Sequence, residues 1–170
     1  PMLPMTNTSG DVFLSKLAGD GSFKWQQSWG GSGVQAPHAL AVNSSDEIHV
    51  GGRFESSINV GGTLYNSAGQ GDAFVVTVDS AGQPLWQKTY GDSFDQSVQA
   101  LAVASNDDLI VMGDNNGTIN LGGGDLTSQG FTDIFLGRLD KSGSHVLSRN
   151  YGDASSDNVL QVVPAGAKSF

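Results

Sequence analysis

The chain has 170 residues and a mass of 17.6 kDa, and it holds 24 glycines, five prolines and no cysteine. Its apolar fraction of 38% permits a folded core, its charged fraction of 15% argues against a disordered tail, and the lack of cysteine excludes disulfides and thiol chemistry. A net charge of −9 disfavours binding to nucleic acid or anionic lipid, and no run of eighteen apolar residues predicts a membrane-spanning helix.

The first predicted element belongs to a phrase that returns three times along the chain. It reads GDVFLSKLAGDGSFKWQQSWG from Gly10, GDAFVVTVDSAGQPLWQKTYG from Gly71 and TDIFLGRLDKSGSHVLSRNYG from Thr132, so each position recurs after 61 residues. The rest of the unit repeats as well, because PHALAVNSSDEIHVGGRF from Pro37 aligns with VQALAVASNDDLIVMGDN from Val98. Such a repeat defines the organisation of a fold. We divide the chain into the end of a preceding unit at 1–9, a first repeat at 10–70, a second repeat at 71–131 and an incomplete third repeat at 132–170.

The opening strand of each unit alternates between apolar and polar side chains. In 72–79, Phe74, Val76 and Val78 share one face, whereas Thr77 lies on the other, as do its equivalents Lys16 and Arg138. This pattern predicts a half-buried strand. In the first unit, Phe13 and Leu17 are predicted to lie on the buried face.

The second predicted strand of each unit carries large aromatic side chains. Trp25 and Trp86 occupy the same position, which Leu147 takes in the third unit, and Trp29 and Tyr90 follow four residues later. These rings could form a sugar-binding platform. Because they recur at the same place in each unit, we predict instead that they form core between neighbouring units.

The third and fourth predicted strands recur in both complete units. They span 39–42 and 48–50 in the first unit, and 100–103 and 109–112 in the second. The third strand alternates alanine with leucine or valine, so we expect both faces to be buried, with the alanine face allowing a neighbouring sheet to approach closely. Asn116-Gly117 is typical of a hairpin and predicts a short fifth strand at 118–121. The sequence predicts an all-β fold of four- to five-stranded antiparallel β-propeller blades, a partial propeller, with a flat sandwich of repeated hairpins as the alternative.

These residues also carry a resemblance to a known family. The run DAFVVTVDSAGQPLWQKTYGDSFDQ, followed by ALAV and DDLIVMGD, resembles the bacterial SBBP-type β-propeller repeat, and NLGGGDLTSQG is similar to its variant in secreted proteins and lipoproteins of myxobacteria. The resemblance covers residues 3–163 and implies a propeller fold in a secreted or surface-anchored bacterial protein. It implies no particular activity. The chain departs from the pattern after Asp157, because 159–170 lacks the Ala-Leu-Ala-Val strand.

The number of blades limits what the chain can form alone. Propellers close with four to eight blades, and this sequence supplies fewer than three. We therefore expect either a piece of a longer propeller, which we favour, or several copies that complete a ring together.

No catalytic motif is present in the sequence. Ser32 has flanking glycines but lacks the last glycine of a nucleophile elbow. His38, His49 and His145 occupy different places in the repeat and form no common ligand set, so we assign them to surface or strand packing. Arg53 and Glu55 break the repeat, and we predict that they form an exposed ion pair.

Acidic residues in turns provide the only indication of a metal. Asp92 and Asp95 follow one Tyr-Gly pair, and Asp153 and Asp157 follow another. Turn carboxylates supply the oxygen ligands that Ca²⁺ takes, so these four residues are weak calcium candidates. The alternative is that they are ordinary turn residues, since Asp favours turns and the first unit lacks them.

The sequence favours a non-enzymatic binding or scaffold module of a secreted or surface-anchored bacterial propeller. Its expected partners are a protein or glycan on the loop face, and other blades or copies of the chain. The alternatives are a part of a propeller enzyme, such as a lyase, glycosidase or quinoprotein whose site lies in other blades, and a structural subunit of an extracellular assembly. We expect no cofactor apart from the weak indication of calcium.

Overall fold

The computed structural model describes residues 10–163, which form fourteen β-strands and contain no helix, so the all-β prediction is confirmed. The first eight strands are β1 Val12–Leu17, β2 Phe23–Trp29, β3 Gln35–Val42, β4 Ile48–Phe54, β5 Ser57–Val60, β6 Thr63–Asn66, β7 Asp72–Val78 and β8 Pro84–Tyr90. The others are β9 Gln96–Val103, β10 Leu109–Asn115, β11 Thr118–Asn120, β12 Asp125–Thr127, β13 Asp133–Leu139 and β14 His145–Tyr151. In this range there is accordingly no helix that could span a membrane. The predicted unit end at 1–9 and the final residues of the third repeat lie outside the described residues.

The strands form three principal sheets, all of them antiparallel. The first sheet is the pair β1–β2, the middle sheet has the order β3-β4-β7-β8, and the last sheet has the order β9-β10-β13-β14. The pairs β5–β6 and β11–β12 are hairpins inserted between the second and third strands of the middle and last sheets. The short strand predicted after Asn116-Gly117 is present as β11, but the prediction of a hairpin at these two residues is wrong, because they join β10 to β11, which do not pair, and β11 pairs with β12 instead.

The four-stranded sheets do not coincide with the units of the sequence. In the middle sheet, β3 and β4 come from the repeat at 10–70, whereas β7 and β8 come from the repeat at 71–131. The phrase that opens each unit therefore starts at the third strand of a sheet. Each unit thus supplies strands to two sheets, which ties neighbouring sheets together through the chain.

The middle sheet is covered on both faces. Phe74 and Val76 of β7 pack against Val12 of the first sheet, and Val75 packs on the opposite side against Val98 of the last sheet. All seven residues of β7 are consequently buried, and the prediction of a half-buried strand is wrong for this strand. The apolar core lies between the sheets in two clusters, one on each side of the middle sheet.

The same positions are exposed on the first sheet. Phe13 and Leu17 are 47% and 56% exposed, whereas Phe74, which is equivalent to Phe13, is only 1% exposed. The prediction that Phe13 and Leu17 face the core is wrong, because the core of the first sheet is formed by the opposite face, with Val12 and Leu14.

The strands β3 and β9 show the same difference. Leu40 and Val42 of β3 are 55% and 50% exposed, while Leu101, the equivalent of Leu40, is 9% exposed. The prediction of burial on both faces is therefore correct for most of β9 and wrong for β3. We call the surface formed by Phe13, Leu17, Leu40 and Val42 the open face.

Small residues allow the middle and last sheets to approach closely. A Cβ atom added to Gly51 would lie 2.6 Å from Cγ1 of Val98 and 3.2 Å from Cδ1 of Leu101. Ala39 and Ala41 of β3 pack against the core cluster on the same side. The predicted close approach at the alanine face is thus observed.

Candidate functional site

A polar groove of about 300 Å³ lies where the connection from the middle sheet enters the last sheet. It forms because the start of β9, the end of β10 and the start of β13 meet in register at Asn115. The groove is lined by Asp95, Gln96, Ser97, Asp114, Asn116, Thr132 and Asn158.

The loop before β9 is fixed by Asp92. Its carboxylate accepts hydrogen bonds from the N–H of Phe94 at 2.9 Å, the N–H of Thr118 at 2.7 Å and the side-chain amide of Gln96 at 2.7 Å. Partial burial works to raise the pKa of Asp92, but these hydrogen bonds outweigh it and lower the pKa below its ordinary value. Asp92 thus joins the loop to the hairpin β11–β12 and has its oxygens occupied by protein donors.

Asp95 is held by an arginine of the middle sheet. The guanidinium of Arg53 donates from Nε at 2.9 Å and from Nη2 at 2.5 Å to Oδ1 of Asp95, and from Nη1 at 2.8 Å to Glu55. The predicted pair of Arg53 with Glu55 is present. It is not fully exposed, because 24% of the Arg53 side chain is accessible, and Asp95 is a third member that the sequence pattern does not indicate.

Asp114 stands in the last sheet where Arg53 stands in the middle sheet. Its Oδ2 accepts a hydrogen bond of 2.7 Å from the side chain of Gln99, and its Oδ1 lies 3.5 Å from the N–H of Val159. Burial raises the pKa of Asp114, while these hydrogen bonds and nearby His38 oppose the rise. The groove therefore holds a half-buried carboxylate that has no salt bridge with a cation among the described residues.

His38 and Ser97 are close neighbours across the two sheets. Nδ1 of His38 lies 3.0 Å from Oγ of Ser97 and 3.2 Å from the carbonyl oxygen of Val98. When Nδ1 carries a proton and donates it to the carbonyl, it is not available as a base for the Ser97 hydroxyl. Ser97 is also buried, with 6% of its surface exposed. This geometry is that of a structural contact between sheets and does not provide an activated nucleophile.

The other two histidines lie elsewhere. His49 is buried, its Nδ1 lies 2.7 Å from Oγ1 of Thr77, and its Nε2 has no hydrogen-bond partner. Burial lowers the pKa of His49, and the charges of Glu47 and Asp107 only partly oppose this. Nε2 of His145 contacts the Ser148 hydroxyl at 3.0 Å. All three histidines therefore have the packing or surface contacts expected of them.

The four calcium candidates lie in two separate loops. In the second loop, Oδ1 of Asp153 accepts from the N–H of Ser155 at 2.7 Å, and Oδ2 of Asp157 accepts from the N–H of Asp153 at 3.2 Å. These are turn contacts. Within residues 10–163, no three histidine or acidic side chains come close enough to share a metal ion. Calcium binding at Asp92, Asp95, Asp153 and Asp157 stays a prediction from the sequence.

A wider groove of about 490 Å³ lies between β8 and the turn that precedes β14. Lys88 and His145 are its ionisable side chains apart from Tyr90. Pro84 takes the place of His145 one repeat earlier, and each lies 3.0 Å from the position of a Cβ atom built on the equivalent glycine, Gly61 or Gly122. The polar groups of this groove form no cluster that indicates a particular ligand.

The tryptophans form a repeated contact between the sheets. Nε1 of Trp25 donates a 2.9 Å hydrogen bond to the carbonyl oxygen of Ser80, and Nε1 of Trp86 donates one of 2.9 Å to the carbonyl oxygen of Lys141. Both donors and both acceptors are related by the 61-residue repeat. Each indole ring also lies over a turn glycine, at 3.0 Å from a Cβ atom built on Gly82 and 2.8 Å from one built on Gly143. We call this combination of one hydrogen bond and one ring–glycine contact the tryptophan clasp.

The polar groove and the tryptophan clasp correspond to no sequence motif, but two differences between the repeat units indicate where they lie. The substitution of Arg53 by Asp114 at equivalent positions marks the polar groove, and the replacement of Trp86 by Leu147 marks the sheet without a clasp donor. The hydrogen-bond acceptors of the clasp are backbone carbonyls, so no side chain in the sequence marks them. Comparison of the chain with models of known protein families and with curated proteins finds no match.

Proposed function

We propose that the chain is a non-enzymatic scaffold and binding module whose sheets are blades of a β-propeller. The observation that carries the proposal is the repetition of the same sheet-to-sheet contact, the tryptophan clasp, after 61 residues on both sides of the middle sheet. Repeated interfaces of this kind are typical of architectures in which each unit contacts only its neighbours. The resemblance of the sequence to the SBBP-type repeat supports the same conclusion and favours a secreted or surface-anchored bacterial protein.

The polar residues of the described region support a scaffold rather than catalysis. Asp92 fixes a loop, Arg53 bridges two acidic side chains, and His38 contacts a buried serine. Each of these groups is used within the protein. A catalytic site would instead require a nucleophile or base directed at a bound substrate.

The partner of the module, a protein or a glycan, is proposed to bind at the end that carries the inserted hairpins and the polar groove. Loops on one end of a rigid set of sheets are the usual place for binding residues. The groove offers carboxylate, amide and hydroxyl groups that can hydrogen-bond to sugar hydroxyls or to peptide groups. The charge of −9 favours neutral or basic partners.

The proposal of propeller blades is tested by electron microscopy of the intact native protein that contains residues 10–163. Light scattering measures the mass of the same particles. We expect a ring of four to eight radial sheets around a central channel. An open stack or a flat sandwich contradicts the propeller.

The binding role is tested by exchanging a loop within the repeat. Residues 121–130 are replaced by residues 60–69, their counterparts in the preceding unit, and the variant is compared with the parent on a glycan array. We expect the parent to bind and the variant to lose that binding while its unfolding midpoint stays the same. Binding that changes only with core substitutions, or turnover of a bound glycan, contradicts the proposal.

A further inference from the structure

The first sheet has the turn glycine and the backbone carbonyl that contact a tryptophan in the tryptophan clasp. The middle and last sheets have the same groups, and there the tryptophan of the preceding sheet contacts them. Gly82 and Gly143 each carry an indole ring from the preceding sheet, and both have positive φ, at 84° and 76°. Gly21 is their equivalent in the first sheet and has the same backbone conformation, with φ of 81°. Among residues 10–163, no atom lies within 4 Å of a Cβ atom built on Gly21, so these residues leave the place of the indole ring open.

The acceptor of the clasp is also repeated. The carbonyls of Ser80 and Lys141 lie two residues before the turn glycines and accept the indole N–H. Gly19 holds the same place two residues before Gly21. Its turn is built in the same way, since the N–H of Gly21 donates to Ala18 at 2.9 Å just as the N–H of Gly82 donates to Asp79 at 3.0 Å.

Apolar side chains around this turn complete the match. Phe13 and Leu40 are 47% and 55% exposed, while their equivalents Phe74 and Leu101 are 1% and 9% exposed because a preceding sheet covers them. Phe13 thus corresponds to the surface of the middle sheet that the first sheet covers, whereas Leu40 corresponds to the surface of the last sheet that the middle sheet covers.

The interface between the middle and last sheets has a second polar contact, and its acceptor is repeated at Asp46. Asp107 accepts hydrogen bonds from the N–H and the hydroxyl of Ser44 in the preceding sheet, at 3.2 and 2.5 Å. Asp46 is the equivalent of Asp107, shares its positive φ, at 61° against 64°, and is exposed beside the open face.

From these contacts we infer that the open face binds the strands of a preceding repeat unit that carries tryptophan at the position of Trp25 and Trp86. The inference rests on the proposed function, since it specifies which repeat unit the scaffold takes at this face. The first two strands of that unit cover Phe13, and their indole donates to the Gly19 carbonyl and covers Gly21. Its third and fourth strands pair beside β1, as β3 and β4 do beside β7, and cover Leu40.

A second copy of this chain is disfavoured as the occupant. The last sheet, which a copy would present to the open face, has Leu147 in place of the tryptophan. A leucine side chain has no N–H donor and a smaller surface to place over Gly21.

The test compares the chain with an extended form in which a second copy of residues 11–71 is inserted directly before Asp11. The insertion places a tryptophan one repeat ahead of Gly21. If the open face takes such a repeat unit, the third and fourth strands of the unit bury the original Leu40. We therefore expect Leu40→Asp to lower the thermal unfolding midpoint by less than about 2 °C in the parent and by about 5 °C or more in the extended chain.

The contribution of the clasp is measured in the extended chain by replacing only the added tryptophan with leucine, the residue found at 147. We expect this single change to lower the midpoint by about 4 °C or more. The inference is overturned if Leu40→Asp lowers the unfolding midpoint equally in both chains. It is also overturned if replacing the added tryptophan leaves the midpoint of the extended chain unchanged.

Light scattering of the unextended chain distinguishes the alternative occupant. We expect a monomer of 17.6 kDa at protein concentrations up to about 100 µM. Leu147→Trp, which supplies the missing donor, is expected to promote head-to-tail association that Phe13→Asp reverses. A wild-type assembly that Phe13→Asp dissociates identifies a second copy as the occupant and overturns the inference. Failure of the propeller proposal is separate, since it appears as the absence of a ring in electron microscopy even when the open face binds its repeat unit.

Discussion

The indole nitrogen of Trp86 in the middle sheet donates a 2.9 Å hydrogen bond to the backbone carbonyl oxygen of Lys141 in the last sheet. This bond joins two elements of the fold that share no strand pairing. Because its ring also covers Gly143, the single side chain of Trp86 provides both a directional and an apolar contact between sheets. The stability of the fold is therefore expected to depend on this residue more than its half-buried surface alone implies.

Replacement of Trp86 by leucine, the residue that the repeat itself places at 147, removes the donor and part of the ring contact. We expect the free energy of unfolding to fall by about 2–3 kcal/mol, from the lost hydrogen bond and the cavity left by the ring. Urea unfolding followed by circular dichroism measures the change. Trp25→Leu, which breaks the equivalent clasp to Ser80, should cost a similar amount. Variants within about 0.5 kcal/mol of the parent would contradict the role of the clasp.

The turn glycine beneath the ring gives a matched pair of substitutions. Gly143→Ala places a Cβ atom 2.8 Å from the Trp86 ring, whereas Gly21→Ala, at nearly the same φ, meets no atom of the described part of the chain within 4 Å. The strain of positive φ costs both variants about 1 kcal/mol, and the collision should cost Gly143→Ala about 1–2 kcal/mol more. Differential scanning calorimetry of the two variants measures the difference. Equal losses would show that the ring moves aside without cost.

The fold could be predicted from the sequence to the extent that it follows periodicity. The 61-residue repeat and the alternation along the strands predict the all-β class and nearly all of the strands, whereas the hairpin predicted at Asn116-Gly117 is not formed. The burial of particular faces could not be predicted, because it depends on which sheets are neighbours. Phe13 and Phe74 have the same place in the same phrase, yet one is 47% and the other 1% exposed.

The candidate site was less predictable than the fold. Asp92 and Asp95 are identical in type and lie in one loop, but the first accepts backbone N–H groups and the second binds Arg53. The difference arises from contacts with residues 26 and 42 positions away in sequence, and a local pattern does not contain such contacts. The break in the repeat from Arg53 to Asp114 indicates where to look but gives no geometry.

Burial of His49 predicts a dependence of stability on pH. The pKa of His49 is lowered from its ordinary value of 6.5 by burial. The unfolded chain therefore takes up a proton at a higher pH than the folded chain. The contribution of this residue to stability is intact above about pH 6.5 and is lost progressively as the pH falls toward the folded pKa.

A double variant tests this dependence. His49→Ile with Thr77→Val removes both members of the contact, so neither is left buried without a partner, and isoleucine is the residue of the next unit at 110. We expect the loss of stability between pH 7 and pH 5 to become smaller, and the stability at pH 7 to stay the same or rise by up to about 1 kcal/mol. Urea midpoints across this range measure the effect. A double variant that retains the full pH dependence of the parent would contradict the assignment to His49.

Asp114 predicts the opposite dependence, because burial raises its pKa above the ordinary value of 3.8. As the pH rises from about 3.8 through the folded pKa, the unfolded chain ionises first, and the stability that the neutral carboxyl provides is lost. Asp114→Asn cannot ionise and can still accept from Gln99, so we expect a gain of about 0.5–1 kcal/mol at pH 7. Chemical unfolding at pH 7 measures the gain. Asp125→Asn, at an exposed position, provides the control, and a loss of stability in Asp114→Asn would show that the carboxylate is stabilised in the groove.

Arg53 contributes through two acidic partners, and its replacement leaves both without their cation. In Arg53→Met, the carboxylates of Glu55 and Asp95 keep their charges but lose hydrogen bonds of 2.5 to 2.9 Å from the guanidinium. We expect the free energy of unfolding to fall by about 1–2 kcal/mol at low salt, and the difference from the parent to narrow as NaCl is added, because ions screen these partly exposed charges. Lys141→Met is the matched control, since that side chain is 62% exposed and makes one ion pair of 3.2 Å with Asp107, for which we expect a change below about 0.5 kcal/mol. Equal effects of the two substitutions would show that the shared arginine adds nothing beyond an ordinary surface ion pair.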